Sequence, residues 1–322
     1  MSQSRIGQAD GELLIVTGSQ VRELLQIDPL LVALETAFVA LSQGRSHVPT
    51  RVAAVAEQGM LIAMPGYLPG QGTAVKAITV YPHNHERGRR SHQGLIVLFD
   101  DVDGRPLCLI EAAEVTALRT AAASALSVRL LAPGGAGTLA ILGSGTQAAS
   151  HLKVVGSLGG FQRIQIASRD PSHARQLAAT DPRASAVSSF EDAVRGAQVV
   201  CCCTDADQPV LHGHWIEGGC HVVSIGLGQE LGPELVGSAD LFAEWRGSAS
   251  NPPPAGAKEF QGVDPERISE LGEVLTGLRA GRLSDQQVTV YKSTGHAVED
   301  VAAARLIYDS ALQVGIGQRI AI

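Results

Sequence analysis

The apolar positions change period along the chain. Over residues 30–41 they recur on a helical period, with Leu31, Leu34, Ala37, Phe38 and Leu41 on one stripe; Asp28 and Pro29 supply an N-cap and a first helical position. Between residues 50 and 110 the pattern shortens to apolar runs at 51–56, 60–64, 75–80, 94–99 and 106–110. Gly, Pro, Asn and Asp separate these runs, which predicts an antiparallel sheet with Asp103-Gly104 as a hairpin turn. Residues 111–131 are Ala-rich and uninterrupted, predict a long helix, and stop at Pro133-Gly134-Gly135. Beyond them strands are predicted at 138–142, 163–168, 197–203, 221–226 and 287–292, with helices from Thr146 and Pro171, the order of a doubly wound parallel α/β sheet. A final helix at 296–312 is expected to return to the first domain. Residues 247–262, which hold Pro252-Pro253-Pro254, read as a surface loop or a lid.

The strand at 138–142 runs into Gly143-Ser144-Gly145-Thr146-Gln147-Ala148 and then a helix. Gly143 permits a tight turn, Gly145 lets backbone approach a pyrophosphate, and small Ala148 lets helix and strand pack closely, so phosphates would meet the helix N-terminal N–H groups. Such a glycine pattern alone is weak; the second strand one helix length later completes a βαβ unit. The fold class is therefore α/β, a Rossmann-type doubly wound sheet over residues 118–295. An α+β substrate and dimerisation domain is expected from 1–117 with 296–322.

The end of the second strand decides the nucleotide. Where NAD sites carry an acidic residue for the ribose 2′-hydroxyl, this chain has Ser168-Arg169-Asp170, a small hydroxyl and a guanidinium suited to a 2′-phosphate. The expected cofactor is NADP(H), with NAD(H) as the alternative. Ser168 and Asp170 also read as caps of the helix beginning at Pro171.

Composition narrows the class. The 322 residues carry 25 Lys and Arg against 32 Asp and Glu, with no long basic run, which argues against a nucleic-acid partner. No apolar stretch has a membrane span's length, and residues 1–10 lack a signal peptide's regions, so the expectation is a cytoplasmic protein without a membrane partner. Cys201, Cys202 and Cys203 fall in an apolar run and read as buried strand, as do the surroundings of Cys108 and Cys220. His83, His85, His212 and His214 form no metal-ligand pattern, and no metal is expected.

Four ordered segments carry a family resemblance: Lys76-Ala77-Ile78-Thr79-Val80-Tyr81-Pro82-His83-Asn84, Leu118-Arg119-Thr120-Ala121-Ala122-Ala123-Ser124-Ala125, the glycine turn, and Lys292-Ser293-Thr294-Gly295-His296-Ala297-Val298-Glu299-Asp300. Together they resemble the ornithine cyclodeaminase/mu-crystallin family from about residue 49 to 312. The family includes cyclodeaminases, alanine dehydrogenases, ketimine reductases and 3-hydroxyproline dehydratases. The resemblance implies a homodimer, an active site between the two domains, and Arg51, Lys76 and Arg119 around a substrate carboxylate.

The residue types bear on these roles independently. Arg119 stands in an apolar helix, where a guanidinium needs an anion: a substrate carboxylate, or Glu111 or Glu114 in a structural salt bridge. Lys76 lies in an apolar strand, either with a lowered pKa and a proton to exchange, or at a strand edge reaching solvent. Arg51 reads equally as a site residue or an exposed one. Ser91, before His92, is either a secondary polar contact or part of a surface turn. Thr146 joins the pyrophosphate turn, and Thr204 and Ser293 are expected near the ribose or nicotinamide.

One departure bears on reaction type. Cyclodeaminases carry an acid/base Asp in a Gly-x-Asp element after a strand, and here the segment reads Ile225-Gly226-Leu227-Gly228-Gln229-Glu230. Gly228 takes the place of that Asp, which favours reduction over cyclodeamination unless Glu230 substitutes. The expected activity is NAD(P)H-dependent reduction of Δ1-pyrroline-2-carboxylate or Δ1-piperideine-2-carboxylate, cyclic imino acids, to L-proline or L-pipecolate. The alternatives are an ornithine cyclodeaminase, an alanine dehydrogenase-like reductase of open-chain imines, and a nucleotide-dependent ligand-binding protein with little turnover.

Overall fold

The computed structural model describes residues 11–322; residues 1–10, read above for a signal peptide, lie outside them. The chain divides into two compact units, Met1–Arg119 with His296–Ile322, and Thr120–Gly295. The first unit begins with β1 (Glu12–Val16), α1 (Gly18–Leu24), α2 (Ile27–Ser42), β2 (Val52–Ala56), β3 (Gly59–Leu68), β4 (Gly72–Val80), β5 (His92–Phe99) and β6 (Pro106–Glu111). Helix α3 (Ala112–Leu131) carries the chain into the second unit. That unit starts with β7 (Thr138–Leu142), α4 (Thr146–Val154), β8 (Arg163–Ala167), α5 (Pro171–Ala178), β9 (Ala184–Ala186), α6 (Phe190–Val194) and β10 (Val199–Cys202). It continues with β11 (His221–Ser224), α7 (Pro233–Ser238), β12 (Asp240–Ala243), α8 (Gly247–Ser250), β13 (Ile268–Glu270), α9 (Leu271–Leu275) and β14 (Thr289–Lys292). Helix α10 (Ala297–Val314) and strand β15 (Gln318–Ala321) return to the first unit.

The first unit is a sheet ordered β15-β1-β6-β5-β4-β3-β2, antiparallel except where β1 runs beside β6. Side chains alternate between faces, and Ile62, Met64, Ala74, Lys76, Ile78, Ile96 and Leu98 are buried on one of them. Helix α10 packs on β3 and β4 and against α2, whose buried Leu30, Leu31, Leu34 and Phe38 close this core. The other face keeps apolar groups in water: cross-strand pairing puts Val52, Ala63, Ala77 and Leu95 side by side, with Leu61 one pair along. Val52 is 65%, Leu61 44% and Leu95 46% exposed.

The second unit is a wholly parallel sheet ordered β13-β12-β14-β11-β10-β7-β8-β9. Its central strands β7, β10, β11 and β14 are buried on both faces; β7 from Leu139 and β10 read as continuous apolar runs, whereas β11 and β14 also bury His221, Ser224, Thr289 and Lys292. Cys201 and Cys202 lie within β10; all five cysteines are buried and unbridged, and burial pushes the Cys201, Cys202 and Cys203 thiols up. Strand order reverses between β7 and β10, so the switch-point crevice of an open α/β sheet opens at the carboxyl ends of these strands.

Several expectations need correction. Helix α2 starts at Ile27, so Asp28 is a first-turn acid facing the helix dipole and Gln26 holds the cap position. Residues 247–262 are not simply a surface loop: they include α8, and Phe260 is fully buried in the second unit's core, with Ala255 and Ala257 also buried. Strands β1, β9, β12, β13 and β15 are additional to those predicted; β9 and β13 hold three residues each, too few to show alternation.

Candidate functional site

In the first unit, β4 and α10 bring opposite charges together. Lys76 sits on the helix-facing side of β4 between Met64 and Ile96 and is 2% exposed. Its Nζ donates to Asp300 Oδ1 at 2.9 Å and lies 2.8 Å from Oδ2. Arg119 donates through Nε to Asp300 Oδ1 and through Nη1 to Glu299 Oε2, both at 3.2 Å. The two carboxylates stand in the first turn of α10, where they also complement the helix dipole, and Glu299 Oε1 accepts the N–H of the cap residue His296.

Burial pushes the Lys76 ammonium down to about 8; Asp300 opposes the shift, while Arg119 and Arg51 push the same way. Burial also raises the Asp300 carboxyl, but Lys76 and Arg119 outweigh it and hold the group below its usual value. Burial, with Arg51 next, lowers the His296 imidazole to about 3. The result is a lysine whose proton is exchangeable near neutral pH, in a cluster where three cations, Lys76, Arg119 and Arg51, face two buried carboxylates, Glu299 and Asp300.

The structure brings Lys76, Arg119 and the charge of Arg51 together; Arg51 itself is half-buried just before β2. Two earlier readings fall. Lys76 does not reach solvent, and the charge partners of Arg119 are Glu299 and Asp300 rather than Glu111 or Glu114. Glu111 instead caps the start of α3, accepting from Ala113 N and Glu114 N. Ser91 is half-buried, with its hydroxyl 2.9 Å from His92 Nδ1. Glu299 and Asp300 carry no distinctive sequence signal: acids at a helix start read as ordinary capping chemistry, and only the fold sets Asp300 against Lys76 and both acids against Arg119.

In the second unit the glycine turn follows β7. Gly143 has φ +117° and a Cβ there would stand 2.5 Å from Cys203 O, so only glycine fits. Gly145 caps α4 in open space and Thr146 is exposed, while Ala148 is fully buried. Ser144 and Gly145 line a surface depression with His173, Gln176 and Leu177. Gln147 Oε1 is buried with no hydrogen-bond partner among the described residues. An open helix N-terminus over a depression, with an unsatisfied polar atom beside it, fits a dinucleotide phosphate.

The other cofactor candidates divide. At the end of β8, Arg169 is exposed, but the Ser168 hydroxyl donates to Asp170 O, so its proton is already committed. Asp170 caps α5. Thr204 donates through Oγ1 to Glu230 Oε1, and Ser293 donates to Glu244 Oε1. The hydroxyl protons of Thr204 and Ser293, expected near the ribose or nicotinamide, are thus held by buried carboxylates, which leaves each oxygen's lone pairs as its remaining hydrogen-bonding capacity. His173, beside the turn, carries no distinctive sequence signal, because three residues past Asp170 it reads as an ordinary first-turn residue of a helix.

Gly228 and Glu230 settle whether an acid/base carboxylate fits here. A Cβ at Gly228 would stand 2.0 Å from Ala206 O, so an Asp cannot occupy this backbone. Glu230 is fully buried and accepts from Thr204 N and Oγ1, Ser224 Oγ, Ile225 N and Gly226 N. Its oxygens are saturated, and it does not replace the missing group. Among the described residues no group of three His, Cys, Asp or Glu side chains is arranged for a metal ion; His212 packs edge-on to Trp215 at 4.8 Å.

A dinucleotide-type parallel sheet in one unit and, in the other, a buried Lys–Asp–Arg cluster drawn from β4, α10 and α3 define a two-unit, nucleotide-dependent class of protein. The family model of the ornithine cyclodeaminase/mu-crystallin family matches residues 12–315, and the chain belongs to that family. It is 34% identical over 309 residues to the ketimine reductase mu-crystallin of Mus musculus, covering 92% of this chain and 96% of that protein. It is 31% identical to the alanine dehydrogenase of Archaeoglobus fulgidus, over 96% of this chain and 98% of the relative. The solved structure of Thermococcus litoralis Δ1-pyrroline-2-carboxylate reductase, in complex with NADH and L-proline, superposes with a TM-score of 0.90 at 29% identity, covering 95% of this chain and all of that one.

Proposed function

We propose that this protein is an NAD(P)H-dependent oxidoreductase acting on the CH–NH group, which reduces cyclic imino acids such as Δ1-pyrroline-2-carboxylate and Δ1-piperideine-2-carboxylate to L-proline and L-pipecolate. The observation that carries the reading is the carboxylate-free turn at Gly228, closed to an Asp by Ala206 O, with Glu230 consumed by five donors. Reduction of a C=N bond requires one hydride and one proton, whereas cyclodeamination also requires a group to shuttle protons between two amines. Similarity to a ketimine reductase and to a pyrroline-2-carboxylate reductase supports the same choice.

The chain's own residues account for the rest. Arg51 and Arg119 attract the substrate carboxylate. Lys76 gives a proton from Nζ to the imine nitrogen, while Asp300 keeps the ammonium oriented and charged until it is used. Buried Ile78 and Ile96 keep water from the lysine. A bound reduced nicotinamide supplies the hydride.

NADPH is the proposed preference, because Arg169 stands exposed at the end of β8 and the acidic Asp170 beside it is used as the cap of α5. The apolar outer face of Val52, Leu61 and Leu95 is the proposed homodimer surface, since a patch of this kind is usually covered. The decisive assay compares the imino acids with ornithine: stoichiometric cofactor loss with the imines and no ammonia from ornithine is expected. Ammonia and proline from ornithine without imine reduction overturns the reading, and tight nucleotide binding without turnover identifies a binding protein. Arg169→Ala should weaken NADPH about 10- to 100-fold and leave NADH unchanged.

A further inference from the structure

A second buried charged network lies behind the crevice, and the proposed chemistry leaves it unused. Glu230 Oε1 accepts from Thr204 N and Oγ1 at 2.7 Å each, fixing the turn after β10. Its Oε2 accepts from Ser224 Oγ at 2.7 Å, Ile225 N at 3.1 Å and Gly226 N at 2.9 Å, fixing the turn after β11. Glu259, from the segment after α8, accepts the Glu230 N–H at 2.8 Å and approaches Lys292 Nζ at 2.8 Å through its other oxygen. Lys292 Nζ also donates to Ser224 Oγ at 2.9 Å and Gly226 O at 2.7 Å. Both side chains of the Lys292–Glu259 pair are 1% exposed.

A buried ion pair is a poor way to gain stability, because apolar side chains of equal volume do as well. What charges add here is direction: three side chains from separate segments converge on two turns. Those turns lie on the β10 and β11 side of the switch point, opposite the β8 side where Ser168 and Arg169 stand. In a sheet of this kind the two halves of a dinucleotide divide across that point.

We propose that Glu230, Glu259 and Lys292 are positioning residues: a clamp that sets the backbone at Thr204 and Ile225–Gly226 for the reacting half of the nucleotide and leaves the adenosine half untouched. The inference rests on the nucleotide reading above. Small displacements of a reacting group are expensive in rate, so loosening this clamp should affect turnover more than affinity.

The test is Lys292→Met with Glu259→Gln, which removes both charges while the Gln carbonyl still accepts the Glu230 N–H. In the unliganded protein, hydrogen exchange at Ile225 and Gly226 should accelerate. ADP-ribose, which carries the adenosine and pyrophosphate but no nicotinamide, should bind as in wild type, while kcat for imine reduction falls about tenfold or more. Ser224→Ala, a small change that removes one bridge, should give the same signature more weakly and serves if the double variant does not fold. Unaltered exchange with wild-type kcat overturns the clamp. So does ADP-ribose affinity falling in step with kcat, which signals general loosening. Failure of wild type to bind ADP-ribose removes the nucleotide reading and the clamp with it.

Discussion

Two buried lysines, each 2.8 Å from a carboxylate, occupy the two units, and they differ in how their donors are used. An ammonium has three N–H groups. Lys292 donates to Ser224 Oγ and Gly226 O and is ion-paired with Glu259 at 2.8 Å, so three protein oxygens already surround its ammonium. Lys76 has only Asp300 as its partner among the described residues, so at least one proton is unspent. A saturated lysine fixes backbone. An unsaturated one, with its pKa brought to about 8 by burial and held from falling further by one carboxylate, is equipped to give a proton away.

The largest expected contrast is in stability. Lys292→Met leaves a buried Glu259 oxygen, the Gly226 carbonyl and Ser224 without their cation, and should cost about 3–5 kcal/mol in urea unfolding. Lys76→Met should cost distinctly less, because Arg119 Nε still reaches Asp300. Equal losses would mean that the difference in donor use has no structural consequence.

In activity the order reverses. Lys76→Met should lower kcat for imine reduction by about 100-fold or more while KM changes little, because the proton is needed only as the hydride arrives. A rise confined to KM would make Lys76 a carboxylate ligand that binds ground and transition states alike. Asp300→Asn should share the kcat loss, since it removes the charge that keeps Lys76 protonated.

The same contrast shows what the sequence could and could not disclose. Gly143, Gly145 and Ala148 were legible because a phosphate turn imposes local demands on backbone and packing, and these are written in adjacent residues. Lys76 and Arg119 were legible as misfits, charges in apolar strand and helix. Their partners were not, because Asp300 lies 224 residues from Lys76 and only the return of α10 onto β4 brings it near. Glu230 was visible as a residue of the right type but not as a saturated one, since its donors come from the separate turns at Thr204 and Ser224–Gly226. Phe260 was hidden among prolines and glycines, where composition suggests a loop and the packing makes core.

The smallest effect is a shift in pH dependence, and it isolates the electrostatics of Lys76 from its mere presence. As the acid, Lys76 must be an ammonium, so kcat for reduction should be level at low pH and fall as pH rises through about 8, approaching tenfold per unit. Arg51 is one of the cations that push this pKa down, so Arg51→Ala should move the falling limb to higher pH while raising KM for the imino acid. The sign follows from charge: removing a nearby positive group makes the ammonium easier to keep. Lys292 donates to no open site, so the falling limb should stay in place in Lys292→Met at temperatures where that variant is folded. A limb that stays in place in Arg51→Ala, or one that moves in Lys292→Met, would show that the titrating group is not Lys76.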